Sequence, residues 1–381
     1  MTSTTHTPFR VLIVGGGVAG LEAALALREL AGERIATTLL SGAPEFVYRP
    51  MRVREPFAYS AAHHYRLDEI ARDVGVELVQ DTFKRLDGDR RLVHTEGGET
   101  LEYDALLLAP GAILRPYFKH ALTLDDSRLD EQLHGLIQDM EGGYLHKLAF
   151  LAPNPMPWPL PLYELALMTK RRAYDMNVDV SVTLVTPEDA PLAAFGSEVR
   201  RAVEQLLEQN GVLVLSSAHA ETPEVGEVML QPGGRRLHVD RIISLPQLSG
   251  PDLAGVPTAA RDRFISVDVH CRVPTLEHVY AAGDATDFPV KHGGIAAQQA
   301  DTAAEAIAAL AGAPIDPKPF HPIVHGVLLG GDKPLYLSAD ITGGQGSSSE
   351  VSETPTWSPA TKIAAKYLAP YLESRDRAAL R

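Results

Sequence analysis

Cysteine is nearly absent from this chain: Cys271 stands alone among 381 residues. A single thiol cannot make an internal disulfide, a CxxC dithiol or a cysteine-rich metal centre, so no metal site is expected and Cys271 reads as a buried structural residue. Long hydrophobic runs are also missing, and no stretch reaches the roughly 20 apolar residues that span a bilayer. The opening residues, "MTSTTHTPFR", are polar, and the apolar run behind them leads into glycines. That is not a secretory signal, and the expected location is cytoplasmic. Basic charge is in deficit, 35 Lys and Arg against 49 Asp and Glu, for a net charge of −14. This argues against a nucleic-acid binder and disfavours electrostatic docking on an anionic membrane. What remains, 45% hydrophobic and 22% charged residues, is an ordinary globular composition with length for two or three domains.

What is present starts with "RVLIVGGGVAGLEAALALREL", a β-branched run, glycines, then an alanine-rich helical pattern. The spacing Gly15-x-Gly17-x-x-Gly20 on a strand–turn–helix fits the dinucleotide fingerprint. Gly15 permits the tight turn, Gly17 lets backbone approach a pyrophosphate, and Gly20 lets the helix pack on the strand. The helix start at Val18 and Ala19 offers free N–H groups and a positive dipole end. An acidic residue is expected about 20 positions on, against a ribose hydroxyl. The second strand, "IATTLLSGAPEF", ends instead on Ser41, a neutral and weaker partner, with Glu45 a loop carboxylate beyond it. "VYRP" follows, carrying Tyr48, Arg49 and Pro50.

A β-rich middle has a hairpin tip at Glu96–Glu99 and an apolar strand, "YDALLL", ending in the turn Ala109-Pro110-Gly111. From about residue 147 strand–helix alternation resumes: "KLAFLAP", a helix near 160–175, "VSVTLVTP", a helix near 196–210, "VLVLSSA", a hairpin and "DRIISLP". "VYAAGDATD" then gives a strand and a Gly283-Asp284 turn, followed by a loop and a helix that includes Gly294 and Ala296. In the tail, Ser358 before Pro359 reads as a helix start. Ala360, Ile363, Ala364, Tyr367, Leu368, Tyr371 and Leu372 would form an apolar stripe on that helix, beside Lys362 and Lys366.

The glycine loop, the "YDALLLAPG" turn and "VYAAGDATD", in this order and spacing, resemble the FAD-containing pyridine nucleotide-disulfide oxidoreductase superfamily over roughly residues 9–310. "ISLPQLSGPDLAGVP" and "WPLPLYELAL" look most like the branch near sulfide:quinone reductases, flavocytochrome sulfide dehydrogenases and type II NADH dehydrogenases. The resemblance implies an α/β fold of two Rossmann-like, doubly wound, three-layer domains. The FAD domain is split by an inserted NAD-binding-like domain, and a C-terminal cap follows. The expected boundaries are 1–118 and 256–318 for FAD, 119–255 for the insert, and 319–381 for the cap or interface.

On the same basis, Gly15, Gly17 and Gly20 would hold the FAD pyrophosphate and Ser41 would face the ribose. Arg49 and Pro50 belong to the expected cofactor wall. Ala109 to Gly111 would replace the family's Ala-Thr-Gly turn, and Asp284 would reach the ribityl chain or the pyrophosphate through water. Lys291 to Gln298 would line the isoalloxazine edge, with the next helix start stabilising negative charge on reduced flavin. Lys291 would add a full charge there, or is a solvated loop lysine. Glu164, where relatives carry a glutamate pointing at the flavin, would be a proton donor or base, or is a helix-start carboxylate. Tyr48, Arg49, His292 and His325 are weaker candidates.

In NAD(P)H-using members the insert carries its own glycine-rich loop after its first strand. Here "APNPMPWPLP" stands in its place, with Pro153, Pro155, Pro157, Pro159 and Pro161 in five of nine consecutive positions. Each proline removes a backbone N–H. A hydrogen bond to a charged group is worth about 1.5–3 kcal/mol, so losing two costs about 3–6 kcal/mol, about a hundredfold or more in affinity. Trp158 adds bulk. The expectation is an FAD-dependent oxidoreductase with non-covalent flavin, without redox cysteines and without the usual NAD(P)H site. Its partner would be a small-molecule substrate or electron carrier. Two alternatives stay open: an NAD(P)H or quinone oxidoreductase with a divergent nicotinamide site, and a flavin-bearing partner-binding protein with vestigial catalysis. The tail helix would pack over the FAD domain, join a homodimer, or touch a membrane as in quinone-reducing relatives.

Overall fold

A computed structural model describes residues 7–57, 62–125, 128–342 and 345–379. Two five-stranded parallel sheets dominate it. The first has the order Val279–Ala281, Ala105–Leu108, Phe9–Val14, Ile35–Leu40, Glu77–Val79. Its central strands are continuous apolar runs because helices cover both faces, and Leu106, Leu107 and Leu108 are fully buried. The helices Val18–Ala31 and Gly293–Leu310 pack against each other through alanines; Ala23, Ala26, Ala300 and Ala303 are all buried to 0% exposure. Small side chains bring the two helix starts side by side at the carboxyl end of the sheet. The chain leaves Phe9–Val14 to build strands on one side, then returns on the other at Ala105–Leu108. That reversal creates the crevice where α/β sheets take their ligands.

The second sheet repeats the plan, in the order Leu122–Thr123, Arg241–Ser244, Lys147–Leu151, Ser181–Val185, Val212–Leu215. Its own reversal lies between Lys147–Leu151 and Arg241–Ser244. The antiparallel strands Ile113–Arg115 and Gln247–Ser249 carry the chain in and out of this unit. The expected helices are present as Leu160–Asp175 and Ser197–Gln209, and the hairpin tip at Glu96–Glu99 joins Leu92–Thr95 to Thr100–Glu102. Among the described residues no helix is long and apolar enough to cross a membrane.

The tail divides its packing. A three-stranded antiparallel sheet, Ile323–Leu328, Leu335–Thr342 and Gln345–Ser352, lies on the second unit, where Val324, Leu328 and Leu337 share a core with Phe195 and Val199. Residues 357–368 then run as a strap across to the first unit. The expected helix start at Ser358–Pro359 is not found: the tail helix is Leu368–Ala379. Side chains of the first unit take the backbone donors that a helix would have used. Ile363 N–H donates to the Tyr48 hydroxyl at 2.9 Å, and Tyr367 and Leu368 N–H donate to the Glu22 carboxylate at 2.9 and 2.5 Å. Trp357 Nε1 donates to the Thr361 carbonyl at 2.9 Å. The apolar residues expected on a helical stripe serve the core instead: Ile363, Leu368 and Leu372 are buried.

Glu22, itself buried, faces the Asp301 carboxyl on the neighbouring helix. Burial and then the Glu22 charge push Asp301 up to about 8, opposed by Lys366 and reinforced by Glu305. The folded chain therefore keeps a proton that the unfolded chain releases above the ordinary value of 3.8. That stabilisation is full below the ordinary value and fades as pH rises to about 8. Wild type should lose thermal stability across this window, and D301N, which cannot ionise, should flatten the slope of melting temperature against pH.

Candidate functional site

The carboxyl end of the first sheet opens into a groove of about 750 Å³. The glycine loop forms its floor, and each fingerprint glycine has a separate reason. A Cβ on Gly20 would sit 1.8 Å from the Gly15 carbonyl oxygen, and one on Gly15 would sit 2.2 Å from that of Ala109. These two positions are closed by neighbouring backbone. A Cβ on Gly17 would meet nothing within 4 Å. Its bare backbone faces the groove beside the start of helix Val18–Ala31, leaving room for a diphosphate against helix N–H groups.

Most residues singled out in the sequence meet here. Gly15, Gly17, Val18 and Ala19 line the groove with Ser41, Arg49 and Pro50. Ala109, Pro110 and Gly111 form the facing turn, and Gly283, Asp284, Lys291 and Ala296 close the far end with Glu164. Gly20 and Gly294 are not in the lining. Gly20 sits behind the loop against Gly15, and Gly294 donates its N–H to His292 Nδ1 at 3.1 Å, capping helix Gly293–Leu310. Ser41 is buried and donates to the Ala43 carbonyl at 3.1 Å, which leaves its oxygen lone pairs as the groove-side partner. Glu45 lines the groove but also meets His64 Nδ1 at 2.9 Å.

Lys291 does not behave as a solvated loop lysine. It is 7% exposed, donates to the Thr286 carbonyl and lies 3.8 Å from the centre of the Phe264 ring. Burial lowers it to about 8, against the pull of Asp284, Asp287 and Asp262. His292 is buried and driven down to about 3, so it is neutral, its Nδ1 an acceptor and its Nε2 carrying the proton. The His325 ring lies 4.8 Å from the Trp357 ring, tilted by 40°. Cys271 is fully buried, at a φ of 59°, and burial pushes its thiol up to about 12.

The strongest electrostatic feature joins two distant parts of the chain. Glu164, fully buried, binds Lys362 Nζ through both carboxylate oxygens, at 2.7 and 2.8 Å, and also accepts the Leu329 N–H at 2.9 Å. Lys362 is 8% exposed and donates a further hydrogen bond to the Pro50 carbonyl at 3.2 Å. Burial raises the Glu164 carboxyl above its ordinary value, while Lys362 and the Leu329 N–H hold it down. Lys362 was visible in the sequence only as a companion of the tail stripe. The available signal was Glu164 itself: a carboxylate inside "LPLYELAL" must be paired once that helix is buried. Lys362 and Val327 also line a second cavity of about 500 Å³. Tyr48, Arg54, His63, Tyr336 and Asp376 are among its other walls.

The reversal point of the second sheet is built differently from the first. Ala152 N–H donates to the Val185 carbonyl at 3.0 Å just as Gly15 N–H donates to the Leu40 carbonyl at 2.8 Å; the difference is that prolines, which have no N–H to offer, follow Ala152 where glycines follow Gly15. Thr186 directly follows strand Ser181–Val185, as Ser41 follows Ile35–Leu40, and Glu188 lies two residues beyond it. Glu188 is turned inward, accepting from the Tyr163 hydroxyl at 2.8 Å and Thr186 Oγ1 at 2.9 Å, and burial raises it to about 7. Among the described residues no cluster of His, Cys, Asp or Glu could hold a metal ion.

With this geometry in view the comparisons are decisive on family. The family model for pyridine nucleotide-disulphide oxidoreductases matches residues 9–137 and 163–309. The chain belongs to that family. The match omits residues 138–162, which contain the proline loop. A sulfide-quinone reductase of Aquifex aeolicus is 24% identical over 73% of this chain and 69% of its own length. An NADH dehydrogenase-like protein of Mycobacterium tuberculosis is 28% identical over 72% of each chain. In fold, the chain is similar to the sulfide:quinone oxidoreductase of Aquifex aeolicus, with a TM-score of 0.79 and 19% identity, covering 97% of this chain and 90% of that one. It also resembles a NAD-dependent persulfide reductase of A. fulgidus, at a TM-score of 0.63 and 19% identity, covering 88% and 64%. The chain is thus an FAD-dependent oxidoreductase. The open backbone at Gly17, the adjoining helix starts and the size of the groove fit that cofactor.

Removing Lys362 strands a carboxylate in a dry site. K362M should lower the unfolding free energy by about 3–5 kcal/mol. The double variant E164Q/K362M should recover part of that loss, measured by denaturant unfolding of the holoprotein.

Proposed function

We propose that this flavoenzyme exchanges electrons with a small molecule that enters through the second cavity, and that its second sheet does not receive NAD(P)H in the usual way. The observation that carries the reading is the proline loop. It occupies the second sheet's reversal point, where a pyrophosphate needs backbone N–H groups, and offers few.

FAD, when bound, supplies hydride or single-electron chemistry. The chain's own residues bind and orient it. The glycine loop and the start of helix Val18–Ala31 would hold the diphosphate, with Ser41 toward the ribose and Asp284 toward the ribityl side. The start of helix Gly293–Leu310 places positive dipole at the far end of the groove. Lys291, buried near that end, adds charge that weakens as pH passes about 8. Glu164 and Lys362 form the wall that the groove and second cavity share through Lys362. The Lys362 ammonium, held by both Glu164 oxygens and the Pro50 carbonyl, would place a positive charge and hydrogen-bond donors at the boundary between the two spaces.

A second reading rests on the relatives' names. The NADH dehydrogenase-like protein and the NAD-dependent persulfide reductase favour a nicotinamide that reaches the flavin in another mode. A quinone partner, as the name of the Aquifex reductase suggests, is one occupant of the second cavity. Calorimetric titration with ADP-ribose and NAD+ separates the first two readings. The expected dissociation constants are on the order of 1 mM or weaker. A low-micromolar constant for ADP-ribose would show a working nucleotide site and overturn the proposal.

A further inference from the structure

The proline loop does more than withhold hydrogen-bond donors. It begins at the carboxyl end of strand Lys147–Leu151 in the second sheet, yet Met156, Trp158 and Pro161 line the groove of the first sheet. The loop therefore bridges the two units across the opening between the second sheet's ligand end and the flavin groove. Trp158 is its central piece. Its ring lies 4.3 Å from the His292 ring at an interplanar angle of 40°, and 5.6 Å from the Phe195 ring at 53°.

Both neighbours are fixed. Phe195 is 1% exposed in the core of the second unit. His292 is 9% exposed, neutral, and held in place as the cap of helix Gly293–Leu310 by its bond from Gly294 N–H. An indole packed between one ring from each unit cannot swing aside without giving up both contacts. The ring thus stands between the carboxyl end of the second sheet and the groove of the first.

We infer that Trp158 is a specificity-determining residue, a plug that keeps nicotinamide-type rings out of the flavin groove. This inference rests on the reading that the second sheet has lost its nucleotide site, but it names a separate barrier. The prolines act on the phosphates, and Trp158 acts on the ring. Exclusion by an introduced obstruction is a recognised route to specificity, distinct from lost attraction.

The two barriers are separated by a donor without phosphates, 1-benzyl-1,4-dihydronicotinamide. It gives a hydride from C4 to oxidised flavin and is left as the pyridinium, so the flavin gains two electrons and one proton. Its redox-inert analogue, 1-benzyl-1,4,5,6-tetrahydronicotinamide, reports binding alone, through perturbation of the flavin absorption band. In the holoproteins, W158A should bind the inert analogue and be reduced by the donor about tenfold or more better than wild type, the scale on which pocket shape discriminates ligands. W158F, which keeps a ring against His292, should stay close to wild type. ADP-ribose affinity should be the same in all three. If W158A loses flavin, W158L serves instead, keeping apolar bulk against Phe195 while removing the ring from His292. Equal binding and equal reduction in wild type and the ring-less variant would overturn the plug. Tight ADP-ribose binding by wild type would instead sink the underlying reading, whatever Trp158 does.

Discussion

The site depends on one buried ion pair. Glu164 sits on the helix that follows the proline loop, Lys362 sits on the strap near the end of the chain, and Lys362 also holds the Pro50 carbonyl of the first unit. Three segments far apart in sequence meet on one ammonium group. Two charges leave water at a cost of several kcal/mol each, and only close geometry with every lone pair occupied repays it. Leu329 N–H supplies the remaining partner. Such a pair contributes less net stability than its distances suggest, but it fixes where the strap lies, because any other path leaves a charge unpaired. The strap in turn shapes the wall between the groove and the second cavity. The Tyr48 hydroxyl and the Glu22 carboxylate hold the rest of it by its backbone, which is why it does not coil into the helix its sequence favours.

On the proposed reading, the two sheets separate architecture from binding. Both have parallel strands, a reversal of direction and a helix beginning at the carboxyl end of a central strand. In the first, Gly15 and Gly20 give the close packing and Gly17 leaves backbone bare toward the groove. In the second, the same position is filled by a segment in which five of nine residues have no N–H and whose side chains reach into the neighbouring groove. The sheet needs only apolar strands such as "LAFL" and helices to cover them. The site needs N–H groups, and five prolines can remove those while the core stays intact.

Much of this was legible in the chain before any coordinates. The apolar runs and glycine spacing give the strands, helices and groove floor, because parallel strands and diphosphate loops impose local patterns. Nearly every residue expected around the cofactor lines the groove. Long-range pairing was not legible. Nothing near Lys362 in sequence announces that it meets a carboxylate 198 positions away. The Ser358–Pro359 start is not a helix start for a related reason: local propensity favours a helix, but acceptors from Tyr48 and Glu22 compete for the same N–H groups. Trp158 could be read as bulk, but not as a ring lodged against His292.

The central claim is that electrons reach this flavin by a route other than a nicotinamide nucleotide on the second sheet. The most direct measurement is an anaerobic titration of the holoprotein with NADH and then NADPH, following the oxidised-flavin absorption band, with dithionite as the control. The account predicts a band that persists through both nucleotides and bleaches with dithionite. Rapid, stoichiometric bleaching by either nucleotide would contradict it.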